Sequence, residues 1–184
     1  MVRRSIAPAE RLRRLLVRVR QHGLRLLVLG IGNEMLGDDA VGHLLARDLA
    51  SIESEGYLSV PVGVAIENAA HLVSRHRADI VILIDAAEGI GRSEWGFVQP
   101  SRLDSSCHST HSVPLSLLVT AWKAEHPDLE VHFIGVRPSS SGFGDALSDG
   151  VAAGRAEIER VFRELLGPGA PASSPRPPRQ RRAG

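Results

Sequence analysis

The sequence has 184 residues, of which 43% are hydrophobic and 23% are charged, a balance that suits one globular domain with a buried core. Its single cysteine, Cys107, excludes an internal disulfide and zinc sites built from several cysteines, and it fits a reducing compartment. The formal charge of +1 conceals an acidic body, because residues 23–167 hold 11 basic and 20 acidic residues, a net −9. This argues against nucleic acid as the main partner and favours a metal or a basic substrate segment.

Both ends of the chain are basic. Residues 1–23 form an N-terminal extension with seven arginines and a predicted amphipathic helix over 9–20, interpreted as a docked surface helix, with a membrane or partner contact as the alternative. Residues 168–184 form a Pro- and Arg-rich tail that is predicted to be disordered. No export signal or apolar stretch of membrane length is recognisable, so we expect a cytoplasmic protein without membrane insertion. We also expect the protein to be a monomer.

Between the ends, continuous apolar runs alternate with helical patterns, which predicts one α/β domain over 24–167. We expect three layers, with a mostly parallel, twisted sheet of about five strands and helices on both faces. In chain order the predicted elements are a strand at 24–32, a helix at 39–54, a strand at 60–66, a helix at 68–76, strands at 78–86 and 96–100, a helix at 113–125, a strand at 129–138 and a helix at 146–166.

The first strand runs into a glycine-containing loop, GIGNEMLGDD, in which Gly30 and Gly32 are followed by Asn33. A dinucleotide-binding loop is the first alternative, but Met35 occupies the position of its third glycine. Adjacent carboxylates also stand where pyrophosphate would bind, and they would repel it. The pattern therefore disfavours dinucleotide binding.

Three segments bring candidate ligands to the carboxyl edge of the predicted sheet, where ligands of such folds collect. Asp38 and Asp39 follow the first strand, although either could instead cap the next helix. Asp85 ends the third strand, where its alternative is a hydrogen bond to the following loop. His111, with His108 as a rival, precedes the helix at 113–125 and could equally be a surface residue. Two carboxylates and an imidazole suit an open, divalent first-row metal site.

The runs GIGNEMLGDDAVG, VILIDA, THSVPL, IGVRPSS and LSDGV, in this order, resemble the signature segments of hydrogenase maturation proteases over about residues 25–166. The resemblance implies an α/β endopeptidase that removes a C-terminal extension from the large-subunit precursor of a nickel–iron hydrogenase. It places metal ligands at Asp39, Asp85 and His111. The nickel is expected to be supplied by the precursor's active site rather than held permanently.

The resemblance also implies that Gly30, Gly32 and Asn33 form a substrate-positioning loop. Asp38 and Asp39 are the expected catalytic acids, with Asp38 the leading candidate for a general base that activates water. A Cys107-based nucleophile is disfavoured because no orienting group is recognisable. A nickel-binding accessory protein without proteolytic activity remains the alternative function, since the same ligands would serve it, and an inactive assembly factor is a third possibility.

Overall fold

The computed structural model describes residues 6–88, 90, 93–99, 102 and 114–168. The predicted C-terminal tail lies outside these residues from position 169 onward. In chain order the elements are α1 (Pro8–Gln21), β1 (Leu26–Ile31), a 3₁₀ turn (Gly37–Ala40), α2 (Val41–Leu49), β2 (Tyr57–Gly63), a second 3₁₀ turn (Ile66–Ala69), α3 (Ala70–His76), β3 (Ile80–Ala86), β4 (Trp95–Val98), α4 (Leu115–Glu125), β5 (Glu130–Val136) and α5 (Asp149–Leu166).

The five strands form one sheet in the order β2-β1-β3-β5-β4. β1, β2, β3 and β5 are parallel, and β4 pairs antiparallel with β5 at the edge. The predicted α/β class with a mostly parallel sheet of about five strands is therefore confirmed. β2 and β3 lie on opposite sides of β1, so the strand order reverses direction at β1. Such a reversal opens a crevice at the carboxyl ends of the strands.

The sheet is buried on both faces, as the continuous apolar runs predict. In β3, Ile80, Ile82 and Ile84 point into the core layer that contains α1, α2 and α5, whereas Val81 and Leu83 point into the layer that contains α3 and α4. This alternation follows from the two-residue period of a strand. Each layer contains one tryptophan: Trp95 lies on the α1–α2–α5 side and Trp122 lies on the α3–α4 side.

Helix α1 is docked on the domain by an apolar stripe. Leu12 and Leu16 are fully buried in the core layer shared with α5. The arginines of α1 pair with acids of the same chain: Arg13 donates to both Glu164 oxygens at 2.6 Å, and Arg18 pairs with Glu130. The basic face of α1 is thus largely engaged within the molecule.

Two elements differ most from the sequence expectation, and one of them, β2, also ends earlier, at Gly63 rather than at 66. Strand β2 begins at Tyr57 rather than at 60, because the polar Ser59 is accommodated in the core by donating to the Ala46 carbonyl oxygen at 2.8 Å. Helix α2 ends at Leu49 rather than at 54, and the Ser51 hydroxyl donates to the Asp48 carbonyl oxygen at 2.7 Å just beyond its end. The segment before α2 is a 3₁₀ turn, which separates the two aspartates from the helix proper.

Among the described helices, none is both long enough and apolar enough to cross a membrane.

Candidate functional site

A cleft of about 390 Å³ opens at the carboxyl ends of β1, β3 and β5. The glycine-containing loop after β1, the end of β3 and the segment after β5 all contribute to it. Its lining residues are Asn33, Leu36, Asp39, Val64, Ala86, Glu88, Pro138, Ser139, Ser140 and Ser141. The cleft therefore lies where the sequence analysis expects a site, and it contains two of the predicted residues, Asn33 and Asp39.

Glycines bring α2 directly against the strands below the cleft. A Cβ on Gly30 would lie 2.0 Å from the Gly42 carbonyl oxygen, and a Cβ on Gly42 would lie 2.2 Å from the carbonyl oxygens of Ile31 and Ile84. Gly32 has φ +134°, and a Cβ there would meet the Asp39 carbonyl oxygen at 1.9 Å. These glycines permit the close packing of backbone that places the 3₁₀ turn over the end of β1.

Asp39 is half-buried and faces the cleft. Its Oδ2 accepts a hydrogen bond from the backbone N–H of Asn33 at 2.9 Å. The Asn33 side-chain oxygen in turn accepts from the Met35 N–H at 3.0 Å, so the loop is closed by its own polar groups. Asp39 thus presents a carboxylate with a fixed orientation to the cleft. Neither Asp39 nor Asp38 caps α2, whose N-cap is Ala40 without a side-chain hydrogen bond.

Asp38 is fully buried and, unlike Asp39, is not among the residues that line the cleft. Its Oδ2 accepts from the N–H groups of Ser139 and Ser140 at 2.7 and 2.8 Å and from the Ser148 hydroxyl at 2.8 Å. Its Oδ1 accepts from the Ser148 N–H at 2.7 Å. Burial alone would raise the pKa of this carboxyl, but the four hydrogen bonds to the charged form outweigh burial and lower the pKa.

This arrangement does not suit the predicted role of Asp38 as general base. A base needs a lone pair aimed at the water that it deprotonates and a pKa close to the working pH. The carboxylate oxygens of Asp38 accept hydrogen bonds from internal donors, and its pKa is lowered, away from a neutral working pH. The sequence could not distinguish Asp38 from Asp39 in this respect, because the donors lie about a hundred residues further along the chain.

Asp85 is the penultimate residue of β3 and is fully buried. Its Oδ1 accepts a hydrogen bond from the Ala86 N–H at 2.8 Å, and the next residues, Ala86 and Glu88, line the cleft. A buried carboxylate at this position is costly unless it is paired or bound to a cation. Asp39, in the 3₁₀ turn that follows β1, and Asp85, near the end of the neighbouring strand β3, thus lie at the same edge of the sheet.

His111 lies outside the described residues, as do His108 and Cys107. Within the part of the chain that is described, no group of three His, Cys, Asp or Glu side chains is arranged to hold a metal ion. The two carboxylates are nevertheless oxygen donors of the kind that a divalent first-row metal accepts together with imidazole.

Several cleft residues were not singled out from the sequence. Glu88 adds an exposed carboxylate three positions after Asp85, and Ser139, Ser140 and Ser141 add hydroxyl groups after β5. Each follows the carboxyl end of a parallel strand. The topological rule that pointed to Asp85 would therefore have pointed to these residues too, had it been applied to the whole of each loop.

No protein-family model matches this chain. It is similar to the hydrogenase 3 maturation protease of Escherichia coli (strain K12), with 27% identity over 143 residues that cover 77% of this chain and 88% of the relative. A crystal structure of a nickel–iron hydrogenase maturation protease, HycI from Thermococcus kodakarensis KOD1, matches with a TM-score of 0.64 at 26% identity, covering 78% of this chain and 90% of that one. The solution structure of the endopeptidase HycI from Escherichia coli matches with a TM-score of 0.63 at 25% identity, covering 82% and 97% respectively.

Proposed function

We propose that this chain is a hydrogenase maturation protease, like the proteins to which it is similar. In this role it is an endopeptidase that removes the C-terminal extension of a nickel–iron hydrogenase large-subunit precursor after nickel insertion. The observation that carries this proposal is the pair Asp39 and Asp85, which the fold brings to one sheet edge beside an open cleft. Nickel is part of the substrate here, because it arrives in the precursor's active site.

We assign Asp39, Asp85 and His111 as the ligands that complete the coordination of the precursor's nickel. The path of the chain supports the inclusion of His111. Helix α4 leads through a short connection into the start of β5, so α4 begins toward the carboxyl edge of the sheet. His111 precedes the first residue of α4, Leu115, by four residues, a span of at most about 14 Å.

Docking through the metal would hold the scissile peptide bond in the cleft, and this proximity supplies much of the rate. It would also reject precursors that have not received nickel. Hydrolysis then requires a water whose oxygen bonds to the carbonyl carbon, while its proton passes through a base to the departing amine. Asp39 and Glu88 are the carboxylates, among the described residues lining the cleft, that can accept this proton; Asp38 is committed to internal donors.

The test is co-expression with the candidate large-subunit precursor, with and without nickel, followed by intact mass spectrometry of the large subunit. Loss of a C-terminal peptide only when both nickel and this protein are present supports the proposal. Cleavage in the absence of nickel would refute the metal-docking step while leaving the peptidase activity in place.

An unchanged mass with confirmed nickel incorporation would favour the alternative, a nickel-binding accessory protein without proteolytic activity. A titration of the isolated protein with Ni²⁺ then separates the two functions. The accessory protein must bind the ion stably by itself, whereas the peptidase needs only the nickel that the precursor presents.

A further inference from the structure

The buried carboxylate of Asp38 connects two segments that are distant in sequence. The 3₁₀ turn that carries it precedes α2, and its four donors belong to Ser139, Ser140 and Ser148 in the connection between β5 and α5. Asp38 therefore binds this connection near both of its ends. Hydrogen bonds to an ionised carboxylate are short and about twice as strong as those between neutral groups.

Backbone contacts run along the same junction. The Asp38 N–H donates to the Ser140 carbonyl oxygen at 3.0 Å, and the Gly144 N–H donates to the Met35 carbonyl oxygen at 2.9 Å. Leu36 and Phe143 form an isolated antiparallel bridge. The glycine-containing loop and the β5–α5 connection are therefore hydrogen-bonded to each other between Met35 and Asp38.

The connection held in this way is a wall of the cleft. Residues 138–141 line it, yet the twelve residues from 137 to 148 contain neither helix nor strand, and 141–146 are exposed. Ordering such a segment costs backbone entropy that its small buried area does not offset. The carboxylate supplies the missing stabilisation at the point where the wall meets the loop that carries Asp39.

We propose that Asp38 is a positioning residue that fixes the cleft wall, residues 138–141, against the loop carrying Asp39, so that the substrate chain is held at a set distance from the reacting groups. This inference rests on the proposed function for its catalytic consequence, but the clamp itself is a property of the free protein. The four donors require four acceptor sites, which the two oxygens of an ionised carboxylate provide.

The test compares Asp38→Asn with a matched variant, Asp48→Asn. Asparagine keeps one acceptor but turns an NH₂ group toward either the Ser148 N–H or the three donors at Oδ2. Asp48 lies ten positions further on, on α2, where it pairs with Arg155 away from the cleft, so its variant removes a partly buried carboxylate without touching the wall. Ser148→Ala removes only the hydroxyl donor and serves as a graded variant should Asp38→Asn fail to fold.

Two readouts decide the outcome, both at a temperature at which all variants are folded. Hydrogen exchange of the Ser139, Ser140 and Ser148 amides should accelerate about tenfold or more in Asp38→Asn, less in Ser148→Ala and not in Asp48→Asn. Precursor cleavage by Asp38→Asn should fall roughly 10- to 100-fold in kcat/KM, with the acid limb of its pH profile unchanged. Asp48→Asn should cleave at the wild-type rate.

Unchanged exchange at these amides in both Asp38→Asn and Ser148→Ala would overturn the clamp. An Asp38→Asn pH profile that loses its acid limb would also overturn it, because that result identifies Asp38 as the base. If the wild-type protein cleaves no precursor, the proposed function fails, and the exchange measurement still decides whether the clamp exists.

Discussion

The backbone N–H of Asn33 donates to Asp39 Oδ2 over 2.9 Å, and this bond fixes the carboxylate that we assign to the precursor's nickel. The six-residue span between donor and acceptor contains the turn that directs the chain from β1 into α2. One carboxylate oxygen thus orients the side chain while the residue as a whole lines the cleft. Orientation by a hydrogen bond of this kind is a common means of fixing a metal ligand.

The first prediction concerns Asp39→Asn. The amide oxygen can still accept from the Asn33 N–H, so the loop and the melting temperature should be preserved. The anionic donor is lost, and nickel-dependent cleavage should fall by at least about 100-fold. Intact mass spectrometry of the precursor measures this, with Asp128→Asn, on an exposed turn, as the control. Full activity in Asp39→Asn would refute the ligand assignment.

The second prediction concerns the packing of α2. Ala is normally favoured over Gly inside a helix by about 0.5–1 kcal/mol, but a Cβ at Gly42 would lie 2.2 Å from two carbonyl oxygens. Gly42→Ala should therefore lower the free energy of unfolding by about 3 kcal/mol, as overpacking does. Urea unfolding measures the loss. Gly63→Ala is the control, because its Cβ meets nothing within 4 Å and only its φ of +64° opposes the change; its cost should be about 1 kcal/mol. Equal losses would show that backbone contact is not the cause.

The third prediction is a pH dependence of stability from Asp38. Its folded-state pKa lies below the unfolded value of 3.8, so its contribution is complete above that value and is lost as the pH falls through the folded pKa. The free energy of unfolding of the wild type should exceed that of Asp38→Asn by a constant margin between about pH 5 and 7, and the margin should narrow below about pH 4. Denaturant titrations at several pH values measure it. A margin that persists unchanged into strong acid would contradict the assignment.

The fourth prediction separates the apolar from the ionic attachment of α1. Leu16 is fully buried, so Leu16→Ala should cost about 3 kcal/mol of unfolding free energy. The bidentate pair of Arg13 with Glu164 lies at the surface, with side chains 28% and 50% exposed, and Arg13→Gln should cost less than about 1 kcal/mol. Chemical denaturation of both variants provides the comparison. A larger loss in Arg13→Gln than in Leu16→Ala would mean that ion pairs dominate the docking of α1.

Much of the fold follows from the sequence because a strand buried on both faces must be apolar throughout, as LLVLGI and IVILIDA are. Topology then determines that Asp39 and Asp85 share an edge. The ends of strands and helices were harder to predict from the sequence. Ser59, for example, interrupts the apolar run, and only its hydrogen bond to the Ala46 carbonyl oxygen explains why it lies inside β2. The buried state of Asp38 depends on donors at 139, 140 and 148, and no local pattern around residue 38 encodes them. His111 remains a prediction.

The placement of Trp95 and Trp122 on opposite faces of the sheet gives each core layer its own fluorophore. These are the two tryptophans of the sequence, and both are almost fully buried. The indole N–H of Trp95 donates to Glu157 at 2.6 Å, which ties that fluorophore to α5. Replacing either one with Phe leaves a single emitter, so the melting of each layer can be followed optically. Superimposable emission curves would mean that the layers unfold in one cooperative event, and separate curves would reveal a half-melted species.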